Sequence, residues 1–131
     1  MTPIESKSVL IVDDMKTVRV KLKRLCKELG INSVYEAGDG TQALEMLQGL
    51  KVDLILSDWN MPNMSGLEMV NKIRENPKMN DVPVIFITAE NEKSAILKSL
   101  MSGVTDYIVK PFPDLTVKQK ICVALKVQVK V

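Results

Sequence analysis

The stretch Leu54-Ile55-Leu56-Ser57-Asp58-Trp59-Asn60-Met61-Pro62 begins as an unbroken apolar run and stops on a carboxylate. The same pattern recurs along the chain. Upstream, Val9-Leu10-Ile11-Val12 runs into Asp13-Asp14. Downstream, Val84-Ile85-Phe86-Ile87 runs into Thr88, and Tyr107-Ile108-Val109 into Lys110-Pro111. Short runs rich in Val and Ile, separated by helix-length segments, read as strands of a parallel sheet buried on both faces. In such sheets the working residues gather just beyond the carboxyl ends of the strands. Three carboxylates, a hydroxyl and an ammonium are therefore expected to meet at one sheet edge.

The intervening segments carry helical signals. Val18, Leu22, Leu25, Cys26 and Leu29 recur at helical spacing, and Gly30 closes that helix. Val34-Tyr35-Glu36-Ala37 is a short second strand, and Asp39 through Gln42 has the pattern of an N-cap with Gln at the third helical position. Ser65-Gly66-Leu67-Glu68 matches a capping box that opens a helix through Met69, Val70 and Ile73. A fourth helix with Ile96, Leu97 and Leu100 ends at Gly103, and a fifth carries Val117, Ile121 and Leu125. The result is a three-layer α/β fold, (βα)₅, with helices on both faces of a five-stranded parallel sheet. Right-handed crossovers wind it outward from the first strand in both directions, giving the flavodoxin-like order 2-1-3-4-5. The crevice then lies between strands one and three, where Asp13, Asp14 and Asp58 face each other.

Length and composition fit one globular domain spanning residues 1–131, without repeat, linker or low-complexity tract. The formal net charge of +2, with acidic and basic residues interspersed, gives no footing for nucleic acid. No apolar run approaches the ~20 residues of a membrane span, and the opening Met-Thr-Pro-Ile-Glu-Ser has no signal-peptide core, so no membrane insertion is expected. Cys26 and Cys122 lack metal-ligand spacing and read as reduced, packed thiols of a cytoplasmic protein. With no histidine in the chain, Ser-His-Asp and Cys-His catalysis, most zinc sites and a phosphohistidine of its own are excluded.

Carboxylates beside a small hard cation are the expected Mg²⁺ arrangement. Asp14 and Asp58 are the candidates for direct ligation, Asp13 for ligation through water, and the Asn60 backbone carbonyl for the remaining protein position. Asp58 is then placed as a nucleophile toward phosphorus. Lys110 offers a point charge to the transferring group, and the Thr88 hydroxyl a hydrogen bond. Each signal alone is weak, since Asp pairs and Lys-Pro steps after strands are common turns. Their concurrence at four strand ends carries the reading.

Those residues are where a family resemblance begins. Ser57-Asp58-Trp59-Asn60-Met61-Pro62-Asn63-Met64, joined by Thr88-Ala89-Glu90 and Tyr107-Ile108-Val109-Lys110-Pro111-Phe112, resembles the receiver domain of two-component response regulators, most of all its single-domain chemotaxis type. The likeness runs from about Lys7 to Leu125, and the strand order 2-1-3-4-5 belongs to that family too. By resemblance, Asp58 is the phosphoacceptor, Asp13 and Asp14 the acidic pocket, Thr88 the switch hydroxyl, Tyr107 the switch aromatic and Lys110 the phosphate sensor. The resemblance also implies a cis Lys110-Pro111 bond, and tuning of dephosphorylation by Asn60 and Glu90. Three features depart from the chemotaxis type. Ser65 stands where it has Asp, and Val104-Thr105-Asp106 looks like receivers at large. The tail 127–131 alternates strictly and is expected to fray or to pair as a strand with a sheet edge or a second chain.

The function this implies is that of a stand-alone phosphoacceptor and not an enzyme. It is phosphorylated on Asp58 with Mg²⁺ by a partner histidine kinase and signals by protein contact to a target such as a flagellar motor switch protein, with a phosphatase as a further partner. Phosphorylation is expected to draw in Thr88, shift Tyr107 between two packings and alter a face that includes Lys93, Ile96, Tyr107 and Lys120. A phosphorelay intermediate or another pathway is the alternative within the class. An FMN carrier would need a phosphate-cradling loop where Asp13-Asp14-Met15-Lys16 stands. A small Mg²⁺-dependent phosphatase would usually place a second Asp where Asn60 stands.

Overall fold

The computed structural model describes residues 3–127. A single 3₁₀ turn (Ile4–Ser6) leads into β1 (Ser8–Val12), α1 (Lys16–Glu28), β2 (Ser33–Ala37), α2 (Gly40–Leu47) and β3 (Leu54–Ser57). There follow α3 (Gly66–Glu75), β4 (Val84–Thr88), α4 (Lys93–Met101), β5 (Asp106–Val109) and α5 (Asp114–Leu125). All strand pairs are parallel, in the order β2-β1-β3-β4-β5, as the alternation of apolar runs and helical segments implies.

The three interior strands are apolar apart from Ser8, Ser57 and Thr88 at their ends, because both of their faces are covered. One core cluster joins Val9, Ile11, Leu54, Leu56, Ile85 and Ile87 to Leu22, Leu25 and Cys26 of α1 and Val117, Ile121 and Cys122 of α5. The other joins Leu10, Val12, Ile55, Val84 and Phe86 to α2 and α3. The chain leaving β1 thus turns to one face and the chain leaving β3 to the other. That divergence opens the crevice.

Register ends β1 and β3 level and carries β4 and β5 two residues further. Val12 pairs with Ser57, Ser57 with Phe86, and Thr88 with Val109. The ladder continues one residue beyond the strands: Asp13 N–H donates to Ala37 O at 3.1 Å, Asp58 N–H to Val12 O at 3.0 Å and Lys110 N–H to Thr88 O at 2.8 Å. Asp13, Asp58 and Lys110 are therefore fixed by sheet hydrogen bonds although each lies outside its strand.

The helix signals at α1, α2 and α3 hold, with one refinement. The Ser65–Glu68 capping box is complete in both directions. Asp39 caps α2 through Gln42 N–H, but the Gln42 side chain accepts from Gly38 N–H, one residue ahead of the cap. Gly30, at φ +96°, ends α1 in the left-handed conformation that glycine adopts without penalty.

The expected apolar face of α4 is the one that the structure corrects. Ser99 is fully buried, its hydroxyl returned to Ala95 O at 2.8 Å, while Leu97, Leu100 and Met101 are exposed at 59%, 44% and 79%. Ser99 is the buried residue of this helix, with Ala95 and Ile96 half-buried and Leu97, Leu100 and Met101 turned outward. Ile96 is half-buried, so the exposed apolar side chains of this face are its neighbours. Of the tail, Val127 packs against the core and its N–H donates to Cys122 O at 3.0 Å, finishing α5 rather than starting a strand. Residues 128–131 of that expectation lie outside the described residues.

Candidate functional site

The carboxylates of Asp13, Asp14 and Asp58 each present an oxygen within 4.8 Å of the others, at the mouth of the β1–β3 crevice. Lys110, carried past β5 on a cis Lys110–Pro111 bond, directs its ammonium at this cluster. Nζ lies 3.5 Å from Asp13 Oδ2 and 3.9 Å from Asp58 Oδ2. One cation thus stands against three acidic groups, and the remaining negative charge is uncompensated within the cluster.

Burial differs among the three. Asp13 is buried, Asp58 intermediate and Asp14 exposed. Loss of solvent pushes the Asp13 carboxyl above its ordinary value. The Met15 N–H at 2.9 Å and Lys110 oppose that shift, and the charge of Asp58 adds to it. Hard oxygen donors, crowded and short of positive charge, are what a small divalent cation such as Mg²⁺ requires.

Asp58 is held from behind. Its carbonyl accepts the Ser57 hydroxyl at 2.9 Å, and Gly66 at the start of α3 lies so close that a Cβ there would sit 2.5 Å from that carbonyl oxygen. Asn60 N–H donates to Asp58 Oδ1 at 3.2 Å. The loop after Asp58 is pinned further along, where the Asn63 amide donates to Asp39 at 2.8 Å and Asn63 itself takes φ +67°. Asn tolerates that conformation better than most side chains do. Trp59 Nε1 beside the site is buried without a partner among the described residues.

Thr88 and Tyr107 grip the same residue. The Glu90 N–H donates to Thr88 Oγ1 at 3.3 Å, and the Tyr107 hydroxyl donates to the Glu90 carbonyl at 2.8 Å. Tyr107 packs edge-on against Phe86, with ring centroids 6.1 Å apart. Its hydroxyl is pushed up to about 12, by burial first and then by Glu90 and Asp58. The sheet edge is thereby linked to the start of α4 through one residue, Glu90. Lys120 lies on the neighbouring helix, paired with Asp106 at 2.8 Å, while Lys93 opens α4 and is exposed.

A family model for the response regulator receiver domain matches residues 9–122. The chain belongs to this family. Chemotaxis protein CheY-3 of Vibrio cholerae is 42% identical over 113 residues, covering 86% of this chain and 87% of that protein. Chemotaxis protein CheY of Pseudomonas aeruginosa is 40% identical, over 86% of this chain and 91% of its own length. Among solved structures, Vibrio cholerae CheY4 superimposes with a TM-score of 0.84 at 31% identity, over 91% of this chain and 98% of that one. The receiver domain of the sensor histidine kinase PA1611 of Pseudomonas aeruginosa, solved with a magnesium ion coordinated in its active-site cleft, gives a TM-score of 0.83 at 25% identity, over 92% and 98% of the two chains.

The structure brings together Asp13, Asp14, Asp58 and Lys110, holds Asn60 N–H against Asp58, and joins Thr88 and Tyr107 through Glu90. Sequence reading passed over Arg19 and Glu36. Arg19 lies one helical turn past the acidic loop, and its Nη1 donates to Asp13 O at 2.6 Å while its Nε donates to Glu36 Oε1 at 3.1 Å. A bond to a backbone carbonyl leaves no pattern in the sequence that would single this Arg out.

Proposed function

We propose that this receiver is a phosphoacceptor that takes a phosphoryl group from the phosphohistidine of a partner kinase onto Asp58. The arrangement that carries this reading is the triad of carboxylates within 4.8 Å, with Lys110 Nζ 3.9 Å from Asp58 and on its acidic side. In the transfer a carboxylate oxygen of Asp58 bonds to phosphorus as the P–N bond breaks. The electron pair leaves on the donor imidazole nitrogen, which then takes up a proton. Asp14, Asp58 and the Asn60 carbonyl would hold Mg²⁺, with Asp13 acting through water. The ion, when bound, neutralises charge on the transferring group. Lys110 binds the phosphoryl oxygens as a point charge, and Thr88, freed from Glu90 N–H, donates to one of them.

Output by protein contact follows from what Thr88 holds. Releasing Glu90 N–H changes the segment that the Tyr107 hydroxyl also grips and that leads into α4. The relatives named as chemotaxis proteins support a flagellar motor switch protein as the target, with Lys93, Ile96, Tyr107 and Lys120 on the responding face. Asn60 and Glu90 flank the phosphorylation site where they can tune its hydrolysis, with or without a partner phosphatase. Cytoplasmic residence fits that partner, and no described helix is long and apolar enough to cross a membrane.

Incubation with acetyl phosphate and Mg²⁺ is expected to add one phosphoryl mass to the parent. Asp58→Asn should abolish the addition and EDTA suppress it. Equal labelling of Asp58→Asn by intact-mass measurement would overturn the assignment. Thr88→Ala should leave labelling largely intact but reduce phosphorylation-dependent changes in the backbone NMR shifts of α4 and β5.

A further inference from the structure

Arg19 closes the loop that carries Asp13 and Asp14. Its side chain donates to the Asp13 carbonyl at 2.6 Å, and its backbone N–H to the Met15 carbonyl at 3.2 Å. The α1 helix begins on Met15, which contributes no side-chain cap, so the side-chain link between the acidic loop and the first helical turn is the Arg19 bond to Asp13 O. The Arg19 side chain is only 19% exposed and is aimed by Glu36 of β2, which also lies 3.7 Å from Lys23. A planar fork can serve two acceptors in fixed directions at once. Here one prong holds the Asp13–Asp14 peptide and the other the neighbouring strand.

We infer that Arg19, oriented by Glu36, is a positioning residue for the metal site: it fixes the peptide from which the Asp14 carboxylate projects. This rests on the Mg²⁺ site proposed above. The structural reason lies in the contrast between the two acids. Asp13 is anchored by Met15 N–H and Lys110, whereas the exposed Asp14 carboxylate has no hydrogen bond or ion pair among the described residues, so its position is set by its backbone alone. Among the described residues, the only side chain bonded to the backbone between Asp13 and Asp14 is Arg19.

Charge and positioning make opposite forecasts for this residue. Were Arg19 simply a nearby cation, deleting it would make the acidic pocket more attractive to Mg²⁺. As a positioning residue, its loss should weaken binding, by about tenfold on the scale of outer-shell metal-site residues. Titration of Mg²⁺ into metal-free protein, followed by Trp59 fluorescence, separates the two. Arg19→Gln is expected to raise the dissociation constant about tenfold, and Arg19→Lys to fail to restore it because one ammonium cannot reproduce the fork. Glu36→Gln, which keeps Arg19 but loosens its aim, should raise the constant about threefold and serves if Arg19→Gln does not fold. Labelling of Asp58 by acetyl phosphate at saturating Mg²⁺ should remain within about twofold of the parent. Unchanged or tighter Mg²⁺ binding in Arg19→Gln and Glu36→Gln would overturn the inference, as would full recovery in Arg19→Lys. If the parent itself shows no Mg²⁺ response, it is the proposed metal site that fails.

Discussion

The two ends of the sheet solve opposite problems. At the amino-terminal end of the strands, polar groups are consumed. Asp53 accepts from Ser8 N–H at 2.8 Å. Arg74 donates to Gly103 O at 2.7 and 3.0 Å, to Val82 O at 2.6 Å and to Asn80 O at 3.2 Å, tying α3 to the turns before β4 and β5. At the carboxyl end, three carboxylates cluster and one lysine reaches two of them, Asp13 and Asp58. The first end spends a cation on carbonyl oxygens and gains stability. The second leaves negative charge unpaired and loses it, as a site reserved for a cation and a phosphoryl group must. Stability and reactivity are thus divided between opposite edges of one sheet, about five residues apart along each strand.

The largest effect that would test this division is at Arg74. Burial lowers its pKa, yet it stays charged because its ordinary value is so high. Arg74→Met keeps the stem and removes every donor, leaving carbonyls of three residues to find other partners. A loss of ~2–4 kcal/mol in denaturant unfolding is expected, with Asp58 labelling preserved in the folded fraction. A loss below about 1 kcal/mol would mean that the amino-terminal edge is not held by this side chain.

At the opposite edge the sign reverses. Asp14→Asn removes one of three crowded charges, and the metal-free protein should gain roughly 1–2 kcal/mol, after allowance for solvent screening of an exposed group, while Mg²⁺ binding weakens. The pH dependence follows from Asp13. Its folded-state pKa is raised, so the fold favours the protonated acid, and metal-free stability should fall as pH climbs through the interval between its ordinary value and the raised one. Asp13→Asn should remove that fall. Thermal unfolding of the parent and both variants between about pH 4 and 7 checks both signs. Mg²⁺ at ten times its dissociation constant should then stabilise the parent by about 1.4 kcal/mol. Stability that did not respond to Mg²⁺ would remove the rationale for the uncompensated edge.

How much of this was legible in the sequence depends on what each residue answers to. The strands and their order could be read because a parallel sheet buried on both faces demands continuous apolar runs, and Val9–Val12, Leu54–Leu56 and Val84–Ile87 supply them. The site could be read because strand ends are the one place such a fold offers for chemistry. The packing of α4 could not. Leu97 and Leu100 look like an inner face by spacing, yet the helix turns Ala95 and Ser99 inward and leaves the leucines in solvent. Periodicity identifies a stripe of large apolar residues but not whether the protein's own core or another surface covers it. Arg19 was missed for a different reason: side-chain bonds to backbone carbonyls leave no sequence pattern.

The smallest effect lies at the end of α5, where the amino-terminal edge departs from its own rule. Three helices close with the same pair of hydrogen bonds. Ile31 and Gly30 return to Cys26 and Lys27, Val104 and Gly103 to Ser99 and Leu100, and Val127 and Lys126 to Cys122 and Val123. The residue between helix and turn is left-handed in each, at φ +96°, +101° and +58°. Two are glycines, for which that conformation is free of steric cost, but the third is Lys126. A lysine held there is disfavoured by roughly 1 kcal/mol relative to glycine, part of which glycine gives back through the greater freedom of its unfolded chain. Lys126→Gly is therefore expected to stabilise the protein by about 0.5 kcal/mol. At Gly103 the same exchange in reverse should be far more costly, because a Cβ there would also meet Arg74 Nε at 3.1 Å and disturb the clamp. Gly103→Ala should cost more than 1 kcal/mol, on the order of the left-handed penalty plus a displaced hydrogen bond. If Lys126→Gly destabilised α5 instead, the lysine would be held by something beyond the turn, and the two glycine-closed helices would not be a fair standard for it.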